Sequence, residues 1–399
     1  MPSFYETQLI ILVVVCALWL FVDNRLSKRA RAVDQSPNFS TDAARSRLMR
    51  QYLIVYAIVM GADWLQGPYV YSLYKEQYAF PERLVAVLFV TGFISAGFTA
   101  PLTDLSSILG RATLVNGFVA TTAGVFSNQL VEVTHSFSSP FVASGALLAL
   151  GLIVIKGLWA ENYGSVDASD ENSSSVFQLK RLSQAWNIVR HDPYLLVIGL
   201  TQTCFEGSMY LFVFLWVPSL QEASLSESPL PLGYIFSCFM VAMMLGSLLY
   251  TTVSSFSNRS NPGTTAHEEP LVLNAKLSSL VCAVSALAFA VTISCKKEEH
   301  IRFWAFCAFE ACVGMYYPVQ GMLRGTLISN EHRATLSSLF RVPLNIFVVV
   351  SLLTGVSSAR DKVLTASAAM LGISSIMTGV VIVNGLDKRR LTEAAGRPA

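Results

Sequence analysis

Apolar residues along this chain gather into eleven long runs, at about 8–22, 51–74, 84–102, 111–132, 138–160, 194–218, 232–252, 274–294, 302–323, 341–358 and 363–385. Most reach the roughly 20 residues a helix needs to cross the hydrocarbon layer of a bilayer. The pattern predicts an all-α, polytopic membrane protein with about eleven transmembrane helices. The first run is short. No positive charge precedes it in "MPSFYETQ", and "DNRLSKRAR" follows it. A cleaved signal carries its positive charge ahead of the apolar core. The order found here predicts an uncleaved anchor with its N-terminus outside.

Basic residues test the helix count, because cytoplasmic loops hold an excess of Lys and Arg. With residues 24–50 inside and strict alternation after them, 21 of the 28 basic residues fall on the cytoplasmic side. Seven fall outside: Lys75, Arg83, Lys296, Lys297, Arg302, Arg360 and Lys362. A missed or invented helix would flip everything after it and erase the asymmetry. The C-terminus is therefore expected inside.

The longest internal polar stretch, 161–193, is rich in Ser and Asp and then turns basic and amphipathic. It reads as a linker between two helix bundles, ending in a surface helix. The expected organisation is an anchor helix and basic loop (1–50), an N-terminal bundle of four core helices (51–160), a cytoplasmic linker (161–193), a C-terminal six-helix bundle (194–386) and a cytoplasmic tail (387–399).

Composition agrees. Hydrophobic residues make up 53% of the chain and charged residues 14%, well below the charge fraction of a soluble domain. The seven cysteines form no CxxC pair and read as packing residues. Metal-spaced His/Cys clusters, phosphate-binding glycine loops and nucleophile–base arrangements are absent, so no cofactor, nucleic-acid partner or enzymatic activity is expected. With no ATP site evident, transport would be secondary.

An internal parallel adds to this. "LSSILGRATLVN", 105–116, and "LSSLFRVPLN", 336–345, each lead into an apolar helix. Each carries Leu-Ser-Ser, an arginine at the helix start (Arg111, Arg341) and then an asparagine (Asn116, Asn345), with one residue of slippage. Chance similarity in a Leu- and Ser-rich chain is the competing account. Asp63 and Glu206 form a second parallel, both mid-helix ahead of aromatic residues and a proline. Parallel repeats in a two-bundle protein mark the major facilitator architecture.

"GADWLQGPYVYSLY", "WAENYG", "FEGSMYLFVFLWVPSL", "GYIFSCFMVAMMLGSLLY" and "LFRVPLN" together resemble the molybdate-anion transporter family of the major facilitator superfamily, over nearly the whole chain from about residue 50. The resemblance implies a major facilitator-type two-bundle fold and uptake of molybdate or a related oxyanion. It also implies an extra N-terminal helix ahead of a twelve-helix core, which suits 8–22. Against that pattern the N-terminal half is incomplete. "GFISAGFTAP" and "TDLSSILGR" nearly abut at 101–104, where the family places core helices three and four. Loss of an even number of helices keeps every later one in its original orientation, so the charge asymmetry survives.

Several side chains could carry chemistry. Asp63 and Gln66 share a helix face, and Tyr69 extends its polar side outward. An acid inside a membrane helix commonly faces a cavity. Asp63 is thus either a cavity-lining group that binds or relays a proton, or an acid that holds helices together. Gln202, Glu206 and Tyr210 recur at i, i+4 and i+8, with the same two readings. For a doubly charged oxyanion, the guanidinium forks of Arg111, Arg324 and Arg341 are candidate ligands; anchoring at the cytoplasmic face or gate salt bridges are the alternatives. Asn116, Gln320 and Asn345 could supply neutral donors. Glu310 would pair with an arginine or cap a polar seam.

The leading expectation is a secondary transporter that takes up molybdate or a related oxyanion by alternating access, with protons as candidate coupling ions and the lipid bilayer of the cell membrane around it. The alternatives are a non-transporting, truncated or splice form acting as a membrane receptor or scaffold, and a carrier for another small solute.

Overall fold

The structure, a computed structural model, describes residues 3–31, 39–99, 109–158, 186–187, 189–224, 229–260, 268–328, 330–354 and 360–385. Each of the eleven apolar runs is a helix: α1 Phe4–Arg31, α2 Phe39–Gln66, α3 Glu82–Thr99, α4 Leu109–Thr134, α5 Ser139–Leu158, α6 Pro193–Ala223, α7 Leu232–Ser260, α8 Glu268–Ser294, α9 Glu299–Leu327, α10 Asn330–Thr354 and α11 Arg360–Met377. Helices are the expected answer, because they satisfy every backbone N–H and C=O inside the segment where no water can. Among the described residues, seven of these helices are both long and apolar enough to cross a membrane. Leu339–Leu353 of α10 is a shorter apolar stretch. The expected linker 161–193 and the helix-pair junction at 101–104 lie largely or wholly outside the described residues.

Local signals set several helix ends. Asp192 caps α6: its Oδ1 accepts a hydrogen bond from the Tyr194 N–H at 2.9 Å, and Pro193 takes the first helical position, where its missing N–H costs nothing. α2 does not stop at Gln66. It continues through a 3₁₀ turn at Gly67–Tyr69 around Pro68 and a π turn at Leu73–Gln77. α11 likewise runs on as a π turn, Thr378–Val383.

The contacts divide the chain into two compact units: Met1–Phe80, Leu105–Val166 and Ser226–Leu248 form one, and Pro81–Asp104, Asp167–Leu225 and Leu249–Ala399 the other. This grouping differs from a division in chain order at 161–193. α3 belongs to the second unit because its packing partner is α10. The first part of α7 belongs to the first unit because it crosses α4 at close range.

In the first unit α2 packs on α4 and α5. Trp64 Nε1 donates to Asn116 Oδ1 at 2.7 Å, Gln66 Nε2 to Ser144 Oγ at 2.7 Å, and the Tyr69 hydroxyl to Asn128 Oδ1 at 2.9 Å. α4 and α7 meet at two glycines. A Cβ on Gly233 would lie 2.3 Å from the Gly124 carbonyl oxygen, so only glycine permits this approach. The Ser237 hydroxyl donates across the crossing to the Thr121 carbonyl at 2.9 Å. Small residues and interhelical hydrogen bonds are how membrane helices associate when lipid is as apolar as leucine.

In the second unit α8 packs on α9 and α11, and α6 on α9, α10 and α11. Aromatic rings fill its core. Phe205 stacks on Tyr316 with centroids 4.0 Å apart, and Phe289 lies 4.5 Å from Phe309. Hydroxyls stitch the other side: Ser374 to Thr201 at 2.9 Å, and Ser375 to the Ser279 carbonyl at 2.7 Å. At one end the charges pair. Arg360 reaches Glu82 at 3.2 Å and Glu222 at 3.9 Å, while Lys296 pairs with Asp361. Arg302, 2% exposed, donates to the Ser219 carbonyl at 2.6 Å. Arg302 also reaches Glu222 at 4.0 Å, so Lys296, Arg302 and Arg360, three of the seven basic residues expected outside, each have an acidic partner.

Candidate functional site

Two facing polar stripes run through the apolar core of the second unit. α6 presents Gln202, Glu206 and Tyr210 at a spacing of four. α9 presents Tyr316, Gln320 and Arg324 at the same spacing. This spacing keeps three polar groups on one helix face. The stripes meet at Glu206. Its Oε1 accepts from Arg324 Nη2 at 3.3 Å and from the Tyr316 hydroxyl at 3.2 Å, and its Oε2 accepts from Gln202 Nε2 at 3.4 Å. The Glu206 and Arg324 side chains are 11% and 20% exposed. The pair is largely removed from solvent while keeping some access.

The cluster is incompletely satisfied. Arg324 Nε and the carbonyl oxygens of Gln202 and Gln320 are buried without a partner among the described residues. A buried donor without an acceptor costs about 1–3 kcal/mol. Arg324 spends one edge of its fork on Glu206 and keeps an N–H in reserve. Gln320 Nε2 donates to Ser278 Oγ at 3.0 Å. Because Ser278 can also donate, the amide can turn over and keep this bond, freeing its NH2.

The other predicted residues fall elsewhere. Glu310, 6% exposed, lies on α9; of its two expected roles, pairing with an arginine or capping a polar seam, no ion pair is found among the described residues. Arg341 is exposed at the surface of α10 and lies within electrostatic reach of Tyr210. Asn345 is half-buried on the same helix. In the first unit Asp63 is exposed and has no hydrogen-bond or ion-pair partner among the described residues. Its neighbours Gln66, Tyr69 and Asn116 are spent on the helix-to-helix bonds described above. The Arg111 side chain lies outside the described residues.

Sequence reading did not single out Tyr316 or Asn128. Tyr316 could have been found by carrying the Gln320–Arg324 spacing one turn back. Asn128 holds Tyr69 and also accepts from the Gly233 N–H at 3.3 Å; a lone asparagine inside an apolar run was its only signal. Among the described residues no group of three or more His, Cys, Asp or Glu side chains could hold a metal ion. Of two cavities away from this cluster, one of about 390 Å³ is lined mainly by apolar residues of α8 and α9. The other, about 540 Å³, lies in the first unit between α1, α4 and α7.

A family model described as sugar transporters with twelve transmembrane spans matches residues 4–103 and 95–303. The match comes in two pieces, and they meet at 95–103. The molybdate-anion transporter of Takifugu rubripes is 26% identical over 426 aligned positions, covering 85% of this chain and 86% of that protein. The molybdate-anion transporter of Xenopus tropicalis is 27% identical over 423 positions, covering 87% of each chain. Both alignments are longer than the 399 residues of this chain, so each relative carries residues that are lacking here. Among solved structures, the E. coli fucose:proton symporter covers 94% of this chain and 98% of its own at 15% identity, with a TM-score of 0.42. The human organic anion transporter MFSD10 covers 93% and 96% at 14% identity, with a TM-score of 0.40.

Proposed function

Since this chain belongs to the major facilitator family of twelve-span transporters, it is a secondary membrane transporter and not an enzyme, and we propose that its cargo is molybdate or a closely related tetrahedral oxyanion. Cargo would move by alternating access of two helix bundles, 51–160 and 194–386, around a midplane site. The observation that carries the cargo assignment is Arg324: a guanidinium inside the helix core, held by one acid and retaining a buried N–H with no partner among the described residues. A planar fork with spare donors suits an oxyanion. The names of the relatives support the same class of cargo.

The remaining candidates take secondary places. Gln202, Tyr210, Gln320 and Tyr316 line the stripes beside Arg324. Asp63, with Gln66, Tyr69 and Asn116 on neighbouring faces, is the coupling candidate of the first unit. Arg341, Asn345, Arg111 and Glu310 are candidates for the path to and from the site.

The test is molybdenum accumulation in a strain lacking its own transporter, using the chain with the absent helix pair supplied. Arg324→Lys keeps the charge and loses the fork, so uptake is expected to fall nearly as far as in Arg324→Gln. A ligand bound through two N–H groups loses roughly 2 kcal/mol, about thirtyfold in affinity, when they go. Full uptake by Arg324→Lys would reduce this arginine to an anchor. Asp63→Asn keeps shape and removes charge; if Asp63 carries protons, uptake loses its pH dependence while expression persists.

Orientation is proposed from the charge asymmetry: cell membrane, N-terminus outside, C-terminus and 161–193 in the cytoplasm. A cysteine placed at Ser169 is expected to resist an impermeant thiol reagent in intact cells and to react after permeabilisation. Labelling in intact cells would overturn the helix count.

A further inference from the structure

We infer that Glu206 is the internal competitor of the transported anion, so that each oxyanion that takes Arg324 from it brings one proton onto the Glu206 carboxyl. The inference rests on the oxyanion reading above and deepens it. In the structure Arg324 and Glu206 neutralise each other at 3.3 Å inside the helix core. A doubly charged anion can use the Arg324 fork in full only if Glu206 lets go. Left ionised, Glu206 would then sit beside the anion with its cation withdrawn. The core would hold two net negative charges, a state that costs several kcal/mol per uncompensated ion. A proton taken from the water onto Glu206 removes one of them. On release the sequence reverses: the anion leaves, Glu206 returns the proton to water, and the ion pair closes again.

The surroundings suit an acid that changes partners. Tyr316 donates to Glu206 now and, as a hydroxyl, can equally accept from the protonated acid. The Gln202 carbonyl oxygen lies buried and unpartnered one turn away. It is an acceptor for which the closed ion pair has no use and which a protonated Glu206 can donate to once the amide turns. Other charged or titratable groups face this acid from the helices packed around it. Tyr210 lies on its own helix; α9 contributes Tyr316, Tyr317 and Arg324, with Glu310 reaching Tyr317; and α10 contributes Arg341 by way of Tyr210. Arg324 alone among these contacts Glu206 as a cation. From α11 the described contacts to α6 are hydroxyls, Ser374 and Thr378 on Thr201. Asp63, in the other unit, has no ion-pair partner among the described residues from which it could be displaced in this way.

The experiment uses the purified 399-residue chain in detergent, since both residues and their helices are present in it. Inorganic molybdate is titrated in weakly buffered solution near neutral pH while an indicator dye follows proton uptake. Uptake of about one proton per anion bound is expected, with the dissociation constant rising about tenfold for each unit of rising pH. Glu206→Gln, already neutral, is expected to bind without proton uptake and with a flat pH profile. Binding by the unaltered chain without proton uptake would overturn the inference while leaving the oxyanion reading intact; this arm needs no variant to fold. An unchanged slope in Glu206→Gln would move the proton to another acid and would equally overturn it. No molybdate binding either by the unaltered chain or by the chain with its helix pair supplied would sink the oxyanion reading itself.

Discussion

Molybdate uptake by the 399-residue chain is expected to be at least about tenfold lower than by the same chain with its helix pair restored between residues 98 and 106. Each six-helix half of a twelve-span carrier forms one wall of the central path. Against that pattern, six described helices, α6 to α11, follow the expected linker and only four, α2 to α5, lie between the first helix and the linker. α3 finds its packing partner in α10, and its Leu84, Val87 and Leu88 are exposed. Asp63, on the first core helix, is exposed as well. A carrier turns over only if its two states lie close in energy, and a bias of about 1.4 kcal/mol already changes the minor state tenfold. Removing two helices from one wall alters far more contact than that. The two forms should be compared at matched expression, with transcripts sequenced across codons 98–106 to see whether the pair is encoded. Equal uptake would show the pair to be dispensable and remove the argument. If the shorter form is made alongside the longer, the non-transporting reading applies to it alone.

Gly233→Ala is expected to destabilise the protein by about 2–4 kcal/mol, from overpacking and the loss of nearby hydrogen bonds. That corresponds to roughly 5–10 °C in Tm for a unit of this size. In most helices the same change is favourable, because alanine saves about 0.5–1 kcal/mol of backbone entropy. The sign reverses here for a geometric reason. The new methyl would lie 2.3 Å from a backbone oxygen of Gly124 and 2.6 Å from the Asn128 Cβ, and neither belongs to a flexible side-chain end. α4 and α7 would have to separate, straining the Ser237–Thr121 and Gly233–Asn128 bonds. Gly321→Ala is the matched control, since a Cβ there meets nothing within 4 Å. Equal melting temperatures for the two variants, followed by tryptophan fluorescence in detergent, would show that the crossing tolerates separation.

The two predictions differ in how far the sequence foreshadowed them. The gap was legible at the junction of "GFISAGFTAP" and "TDLSSILGR", because a twelve-helix pattern leaves a visible hole when two members are gone. The alignments longer than the chain and the family match that breaks at 95–103 agree with it. The glycine crossing was not legible. Gly124 and Gly233 sit in ordinary apolar runs, 109 residues apart in the numbering, and nothing local marks either as a contact.

The candidate site shows the same division. Gln202, Glu206 and Tyr210 were readable as one stripe because a helix repeats every 3.6 residues, so three polar groups at intervals of four must share a face. Arg324 and Gln320 were readable for the same reason. That these two stripes face each other, and that Glu206 spends its charge on Arg324, 118 residues away, follows from how α6 and α9 pack. The pairing of Arg360 with Glu82, 278 residues apart, depends in the same way on which helix ends come together.

What the sequence determined by itself is the set of eleven described helices and the class of protein. Both follow from local rules: apolar length against bilayer thickness, and backbone hydrogen bonds closed within one segment. What only the tertiary structure decided is the grouping of α3 with α10, the closeness of α4 to α7, and the partner of every charge buried among the helices. Lipid rewards any apolar helix face about equally, so hydropathy cannot choose between neighbours. The choice falls to a few glycines, hydroxyls and ion pairs whose partners lie far away along the chain.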